Sequence, residues 1–384
     1  MDNQQDIGLY LHIPFCLSKC SYCDFFSIVT GNEGLKRRYI TALIKEMEIY
    51  RQKKKDISLS TIYLGGGTPT ILDGIQINEI ISSCFSNFQI AGNKKMEITI
   101  EANPGTIEIE KSKILLQSGI NRLSIGAQSL DNRVLKKIGR VHTKEDFLAS
   151  YNAAREAGFS NINIDLMFGL PGQSMAGFEK TLTGIIKLKP EHISLYGLSI
   201  ESGTPLELLI AAGKIKLPSD DLSNDLFVMA IELLKEHNYE HYEISNFALP
   251  GKRSIHNQIY WNDKSYLGLG AGATSYLDNK RYRNYQDLEQ YIELLNYGIL
   301  PVEYQEILSM RERMSEKIIL KLRMMEGLDK NDFFNQFKTS VEHVFGKELY
   351  TLKEQGLLAE NKTRYLLTKK GISLANNVFT EFID

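Results

Sequence analysis

The sequence of 384 residues has no apolar run long enough to span a bilayer, and its formal net charge is only −2. The first absence excludes a predicted membrane-spanning helix, and the second leaves no electrostatic drive toward nucleic acid. Residues 1–6 contain neither a basic nor an apolar segment, so we expect no signal peptide and a cytoplasmic protein. Apolar residues make up 43% and charged residues 24%, which is typical of a globular protein with a large core.

Cysteine is also scarce, yet three of the four cysteines form one C-x3-C-x2-C pattern, Cys16, Cys20 and Cys23. Thiolates this close repel one another, and a shared metal centre such as an iron–sulfur cluster relieves that repulsion. A four-iron cluster held by three cysteines keeps one iron without a protein ligand, open to a small molecule that chelates through an amine and a carboxylate. Cys84 falls in an amphipathic helical pattern and is predicted to be a core thiol.

Three other interpretations of the cysteine pattern stay open at this point. A zinc site needs four ligands and would recruit His12. Spacing of i, i+4 and i+7 would also place three thiols on one helix face. A disulfide would leave one cysteine over and suits a secreted protein better. The flanking residues favour a strand followed by a loop, so the cluster is the preferred interpretation.

Hydrophobic periodicity predicts six strands, each followed by a helical pattern, over the first half of the chain. The predicted strands are residues 8–13, 61–64, 96–101, 122–127, 161–168 and 192–198. Strands that alternate with helices form a parallel sheet. Six units are fewer than the eight of a closed barrel, so we expect an α/β fold with an open, partial (β/α)6 barrel.

Unusual residues follow the predicted strands, at the barrel end where chemistry is usually found. Residues 65–69 read Gly-Gly-Gly-Thr-Pro, which lets backbone approach a ligand closely, and no lysine follows to make a phosphate loop. Glu101 and Gln128 end the third and fourth strands. Asp165 lies in the fifth strand, where a buried carboxylate needs a partner. We expect these residues to face a ligand.

After residue 199 the strand–helix repeat is lost, and the predicted domains are 1–215, 216–305 and 306–384. In the middle part we predict a helix at 219–238, a strand at 239–247 and a helix at 285–297. In the last part we predict helices at 312–323 and 341–354, short strands at 357–359 and 365–367, and a helix from 368. This order of elements is winged-helix-like. Without a basic excess we interpret this domain as a packing or partner domain.

The cysteine pattern with Tyr22 before its last cysteine resembles the signature of the radical S-adenosylmethionine (SAM) superfamily. Residues 9–16, Leu-Tyr-Leu-His-Ile-Pro-Phe-Cys, are similar to those of the oxygen-independent coproporphyrinogen III oxidase family. The resemblance implies a TIM-like partial barrel, a 4Fe–4S cluster on the three cysteines and SAM on the open iron. The SAM contacts that it implies are Tyr10, Tyr22, Gly66, Gly67, Thr68, Glu101, Gln128, Arg140 and Asp165.

Two features place the chain within that family. Phe25 stands where the oxidase branch has an additional cysteine, and the oxidase has more than the 15 residues found here before Cys16. Residues 256–261 resemble the H-N-x-x-Y-W motif of the heme-chaperone branch, with His256, Asn257, Tyr260 and Trp261 as a heme-binding region. A neutral imidazole can ligate heme iron. Taken alone, such a hexapeptide is more simply a packed β-turn with a satisfied histidine.

The resemblance therefore implies a heme chaperone without oxidase activity, which carries heme to an acceptor such as a membrane-bound respiratory protein and which can form a dimer. His256 is the expected ligand of the heme iron. A coproporphyrinogen III oxidase that uses radical SAM decarboxylation is the alternative enzyme, and a zinc-bearing winged-helix interaction protein is a third hypothesis.

Overall fold

The computed structural model describes residues 5–54, 56–92 and 96–383. Residues 1–4, which formed part of the argument against a signal peptide, lie outside the described residues. No helix within the described ranges combines the length and the apolar character needed to cross a membrane.

Six parallel strands lie side by side in chain order and form the partial barrel. They are β1 (Gln5–Ile13), β2 (Ile57–Gly66), β3 (Glu97–Ala102), β4 (Arg122–Gln128), β5 (Ile162–Phe168) and β6 (His192–Gly197). The crossovers carry α1 (Glu33–Lys53), α2 (Gly74–Asn87), α3 (Ile109–Gln117), α4 (Asn132–Lys137), α5 (Lys144–Ala157) and α6 (Met175–Lys187). This architecture confirms the predicted fold class.

Alternation along the strands separates an apolar outer core from a polar barrel interior. In β4, Leu123 and Ile125 are fully buried in the main hydrophobic core. Their neighbours Arg122 and Ser124 point the other way and line an internal cavity. The helices therefore pack on the apolar face, and the opposite face is left for polar side chains.

Helix ends follow the local sequence. Thr143 caps α5 through a reciprocal capping box with Asp146, and Gly158 ends the helix with φ of 114°. Only a residue without a Cβ adopts this left-handed conformation without strain. The helix stops at this glycine.

Residues 205–307 add strands to both edges of the barrel sheet. In chain order they form α7 (Pro205–Ala211), α8 (Asp220–Glu236), β7 (Glu240–Glu243), β8 (Asn246–Ala248), α9 (Ile255–Trp261), β9 (Tyr266–Leu269), β10 (Thr274–Leu277), β11 (Lys280–Asn284), α10 (Leu288–Asn296) and β12 (Val302–Ile307). β8 pairs antiparallel with β6 at one edge, and β9 pairs parallel with β1 at the other. The sheet stays open.

The single strand predicted at 239–247 is wrong, because the chain turns back between β7 and β8. The Glu243 carboxylate accepts a hydrogen bond from the Asn246 side chain across this turn. Ile244, at the turn, packs against the core of the C-terminal domain. A tertiary contact therefore interrupts a segment whose own pattern suits one strand.

The C-terminal domain has its own apolar core, which includes Ile318, Phe333, Phe345 and Leu352. It contains α11 (Met310–Arg323), β13 (Leu328–Asp329), α12 (Lys330–Phe337), α13 (Val341–Glu354), β14 (Leu358–Glu360), β15 (Arg364–Leu367), α14 (Lys369–Ser373) and α15 (Ala375–Thr380). Its three strands pair antiparallel in the order β13-β15-β14. The helices followed by a hairpin give the predicted winged-helix-like order.

Candidate functional site

A cavity of about 410 Å³ runs inside the barrel from the cysteine loop toward α9. Its wall includes the predicted residues Cys16, Cys20, Tyr22, Cys23, Gly66, Gly67, Thr68, Glu101, Gln128, Arg140 and Asp165. Tyr10 lies one layer behind this wall, with its ring centroid 6.2 Å from that of Tyr63, which does line the cavity. The fold therefore brings the cysteines and the predicted SAM residues into one space.

The cysteine loop, residues 17–27, is closed by two short strands, Phe15–Cys16 and Ile28–Val29, which pair parallel. The glycine turn after β2 holds this loop, since Gly67 N donates to Ile13 O at 2.9 Å and Thr68 N donates to Phe15 O at 2.8 Å. A Cβ on Gly67 would lie only 2.6 Å from Phe15 O and 3.0 Å from Cys16 Sγ. Gly67 is thus required for the turn to approach the first cysteine.

The donor set of the loop fits a cluster better than a single metal ion. All three thiols are free, and the described residues contain no group of three or more His, Cys, Asp or Glu placed to hold one ion. Burial raises the pKa of the Cys16 and Cys23 thiols, so a metal centre displaces protons when it binds there. Three thiols in one cavity wall match the cysteine donor set that an iron–sulfur cluster takes.

The zinc alternative lacks its fourth ligand. His12 is 7% exposed, with Nδ1 at 3.0 Å from the Tyr10 hydroxyl and Nε2 at 3.0 Å from Phe26 O. Both ring nitrogens are therefore engaged within the protein. The helix alternative also fails, because residues 17–27 contain no helix.

Arg140 connects the cysteine loop to the strand ends. Its Nη1 donates to Cys20 Sγ at 3.3 Å, and its Nη2 donates to Asn103 Oδ1 and to Gly126 O, both at 2.7 Å. A guanidinium beside a thiol stabilises the thiolate form that binds metal. Arg140 consequently positions Cys20 in addition to lining the predicted SAM space.

Glu101 and Asp165 are half-buried carboxyl groups in the cavity wall. Glu101 accepts from the Tyr63 hydroxyl at 2.7 Å and from Gly66 N at 3.1 Å, and burial raises its pKa to about 7. Asp165 accepts from Ser124 Oγ at 3.0 Å and from Asn163 Nδ2 at 2.8 Å, and burial raises its pKa as well. Each carboxylate can still accept a hydrogen bond from a ribose hydroxyl or from an ammonium group of a ligand.

Gln128 reaches the cavity through an irregularity at the end of β4. The register between β4 and β5 shifts between Gly126 and Gln128, and Gln128 has a left-handed φ of 61°. Such a bulge redirects a side chain at a barrel rim. The sequence pattern placed Gln128 correctly at a strand end but carries no sign of the bulge.

Several wall residues were missed by the sequence analysis, namely Tyr63, Asn103, Arg122, Ser124, Asn163, Ser194 and Tyr196. A signal for some of them was present. Strands of a parallel sheet covered on both faces are normally near-continuous apolar runs, yet β5 alternates Asn163 and Asp165 with isoleucine and leucine. That alternation indicates a polar barrel interior.

The H-N-x-x-Y-W motif forms α9, a short helix in place of the β-turn considered from the sequence. Glu97, the first residue of β3, accepts from Ile255 N at 3.1 Å and from His256 N at 2.9 Å. A Cβ on Gly8 would lie 2.9 Å from Ile259 and 3.3 Å from the His256 ring. Helix α9 therefore packs at the base of the barrel, at the opposite end from the cysteine loop.

His256 is 1% exposed and has partners at both ring nitrogens. Its Nδ1 lies 2.7 Å from Thr61 Oγ1, and its Nε2 lies 2.8 Å from the Tyr260 hydroxyl. Burial lowers the pKa of His256 to about 3, so the ring is neutral. In this conformation neither nitrogen is open to a ligand, as in the satisfied-histidine alternative.

The other motif residues have different environments. Asn257 lines the cavity. Trp261 lies under the guanidinium of Arg323, whose Cζ is 4.5 Å from the indole ring. Arg323 belongs to α11, so the tryptophan stands at the junction with the C-terminal domain.

Phe25 lies in the cavity wall and is 66% exposed. An apolar ring is therefore present in the same wall as Cys16, Cys20 and Cys23.

Barrel, cysteine loop and cavity together define a protein of the radical SAM class. Residues 10–185 match the model of the radical SAM superfamily, and residues 308–374 match the HemN C-terminal domain. The curated heme chaperone HemW of Lactococcus lactis is 37% identical over 383 residues, which cover 99% of this chain and 98% of that protein. The chain belongs to the HemW heme chaperone family.

Two further comparisons agree. The heme chaperone HemW of Bacillus subtilis is 36% identical over 374 residues, 97% of this chain and 98% of the relative. The solved structure of coproporphyrinogen III oxidase (HemN) from Escherichia coli, a radical SAM enzyme, superposes with a TM-score of 0.86 at 28% identity. That match covers 99% of this chain and 90% of the oxidase chain.

Proposed function

We propose that this protein is a cytoplasmic heme chaperone, which binds heme and a SAM-ligated 4Fe–4S cluster and delivers the heme to an acceptor protein. One observation carries the proposal. Cys16, Cys20 and Cys23 share a single cavity with every predicted SAM residue except Tyr10, in a chain whose relatives, matched over nearly their full length, are named as heme chaperones.

The chain's own residues have separate tasks in this proposal. The three cysteines would hold the cluster, and Arg140 keeps Cys20 in place through its 3.3 Å contact. Glu101 and Asp165 would accept hydrogen bonds from the nucleoside of SAM, and the glycine turn at Gly66 and Gly67 leaves room for its methionine part. When bound, the cluster and SAM would supply one-electron chemistry.

Heme is proposed to bind beside the α9 motif, with His256 as the iron ligand and the Tyr260 and Trp261 rings as flat neighbours. Ligation requires α9 to move away from the base of the barrel, because both His256 nitrogens are hydrogen-bonded. A typical hydrogen bond contributes about 1 kcal/mol to stability. Breaking these two hydrogen bonds is part of the cost that heme binding has to exceed.

Heme titration of the wild type and of His256→Ala tests this function. We expect the wild type to give a histidine-ligated Soret band and to lose fluorescence from Trp261, the only tryptophan. His256→Ala should bind more weakly with a shifted band, while the exposed His237→Ala serves as the matched control. Equal spectra and affinities for wild type and His256→Ala would remove His256 as the ligand, and absence of heme binding would overturn the function.

The likeness to the solved oxidase favours a second candidate, oxidative decarboxylation of coproporphyrinogen III. Phe25 argues against it, because this apolar side chain lines the cavity where the oxidase branch has a cysteine. An anaerobic assay with reductant and SAM separates the candidates. Protoporphyrinogen formed with multiple turnovers would favour the oxidase over the chaperone.

A further inference from the structure

Arg122 is a buried guanidinium that the site described so far does not use. It is the first residue of β4, is 2% exposed and lines the cavity. Its Nε is buried without a hydrogen-bond partner, and no carboxylate in the described part of the chain forms an ion pair with it. The other arginine of the cavity wall, Arg140, is by contrast hydrogen-bonded to Cys20, Asn103 and Gly126.

An arginine cannot escape such a position by losing its proton, because its pKa is too high. An unpaired buried charge costs several kcal/mol, and a buried polar group without a partner calls for a physical explanation. The neighbouring acids supply only part of one. Burial raises the pKa of Glu101 and of Asp165, and the charge of Arg122 opposes that rise. Their hydrogen bonds go elsewhere, since Glu101 is bonded to Tyr63 and Gly66, and Asp165 to Ser124 and Asn163. The positive charge is left facing the cavity.

We propose that Arg122 binds a carboxylate of the ligand that fills the cavity. This deepens the proposed function and rests on it. A guanidinium can pair with both oxygens of a carboxylate at once, and the polar groups of Ser194 and Asn163 lie in the same wall. The pair would bring no net charge into the barrel.

Two ligands of the proposed function carry a carboxylate, namely SAM in its methionine part and heme in its propionates. The carboxylate of SAM would be taken by the open iron at the mouth, so the propionates of heme are the favoured source. Arg122 pairs in register with Thr99, below the level at which Glu101 pairs with Ser124, whereas the cysteines lie at the mouth. The backbone of Arg122 therefore lies deeper in the barrel than that of Glu101, away from the cysteine loop.

The test uses the full-length chain, reconstituted anaerobically, as wild type, Arg122→Met and the control Arg155→Met. Arg155 is half-buried, and its guanidinium pairs with Glu191 at 2.9 Å and with Tyr151 at 2.8 Å, away from the cavity. Affinities are measured for SAM and decarboxylated SAM, and for heme and heme dimethyl ester. Thermal unfolding is recorded for each variant without ligand.

We expect Arg122→Met to unfold at the wild-type temperature or above, because it removes an unpaired charge, while Arg155→Met unfolds lower. Arg122→Met should lose about tenfold or more in affinity for one carboxylate ligand. For that same ligand, removal of the carboxylate should lower the affinity of the wild type. The same removal should lower the affinity of Arg122→Met much less. Such coupling with SAM identifies SAM as the source, and coupling with heme identifies the propionates.

Additive losses with both ligand pairs would overturn the proposal, as would wild-type affinity of Arg122→Met for both ligands. A destabilisation of Arg122→Met as large as that of Arg155→Met would also overturn it and make Arg122 a structural residue. If the wild type binds no heme, the proposed function fails by itself, and the SAM pair still decides the role of Arg122.

Discussion

At the barrel mouth, Cys16, Cys20 and Cys23 face a cavity of about 410 Å³, whereas at the base α9 turns His256 into closely packed protein. The mouth carries three free thiols, and its carboxyl groups can accept further hydrogen bonds. The base has already used both nitrogens of its histidine on Thr61 and Tyr260. The difference indicates that the mouth is formed in advance for its ligand, while the base has to open before it can bind one.

The largest effect is expected at the mouth, where alanine at any one of the three cysteines should abolish cluster binding. Two remaining thiolates cannot hold the cluster at its normal site. Iron and acid-labile sulfide after anaerobic reconstitution measure the result, and we expect close to none of either. Cys84→Ala is the matched control, because Cys84 is buried beside Met47 with the two sulfurs 3.9 Å apart. Full iron content in Cys16→Ala would show that the three cysteines at the mouth do not form the cluster site.

A smaller effect is expected at the base, in acid. The folded-state pKa of His256 is lowered to about 3 by burial, so the unfolded chain takes up this proton first as the pH falls. The stability contributed by the neutral ring is fully present above pH ~6.5 and is lost toward pH 3, at up to about 1.4 kcal/mol per pH unit. Urea unfolding of wild type and His256→Asn between pH 7 and 4 measures it.

The unfolding free energy of His256→Asn should fall less steeply with decreasing pH than that of the wild type. The difference in slope should correspond to one proton fewer taken up on unfolding. The slope of the variant will not vanish, because burial lowers the pKa of His142 to about 4 and also that of His192. His237→Asn, on the surface, is the matched control. Identical slopes for wild type and His256→Asn would mean that the ring is already open to water.

The smallest effect is expected from Tyr260→Phe, which frees Nε2 of His256 without removing the ring. If the base has to open before heme binds, losing this 2.8 Å hydrogen bond should raise heme affinity by about two- to tenfold. Heme titration checks it, with Tyr266→Phe as control, since Tyr266 packs on Tyr260 at 4.7 Å between centroids. Unchanged affinity in Tyr260→Phe would show that this bond does not restrain heme binding.

The sequence allowed the mouth to be predicted better than the base, for a physical reason. Strand–helix alternation and the cysteine spacing are local patterns, and they located the barrel, the loop and the acids at the strand ends. The state of His256 depends on Thr61, which is 195 positions away along the chain. Likewise, Gly67 has to be glycine because a Cβ there would collide with Phe15 and Cys16. Such distant partners leave no periodic trace in a single sequence.

The pairing of β1 with both β2 and β9 has a consequence for biosynthesis. Gly8 to Leu11 align with Tyr266 to Leu269, and Glu46 in α1 accepts from Gly270 N at 2.9 Å and from Asn284 Nδ2 at 2.7 Å. The strand that leads into the cysteines therefore keeps an unprotected edge while the ribosome translates the next two hundred and fifty or so residues. Contacts so distant along the chain form late, so this edge of the sheet can be completed only after most of the chain has been synthesised.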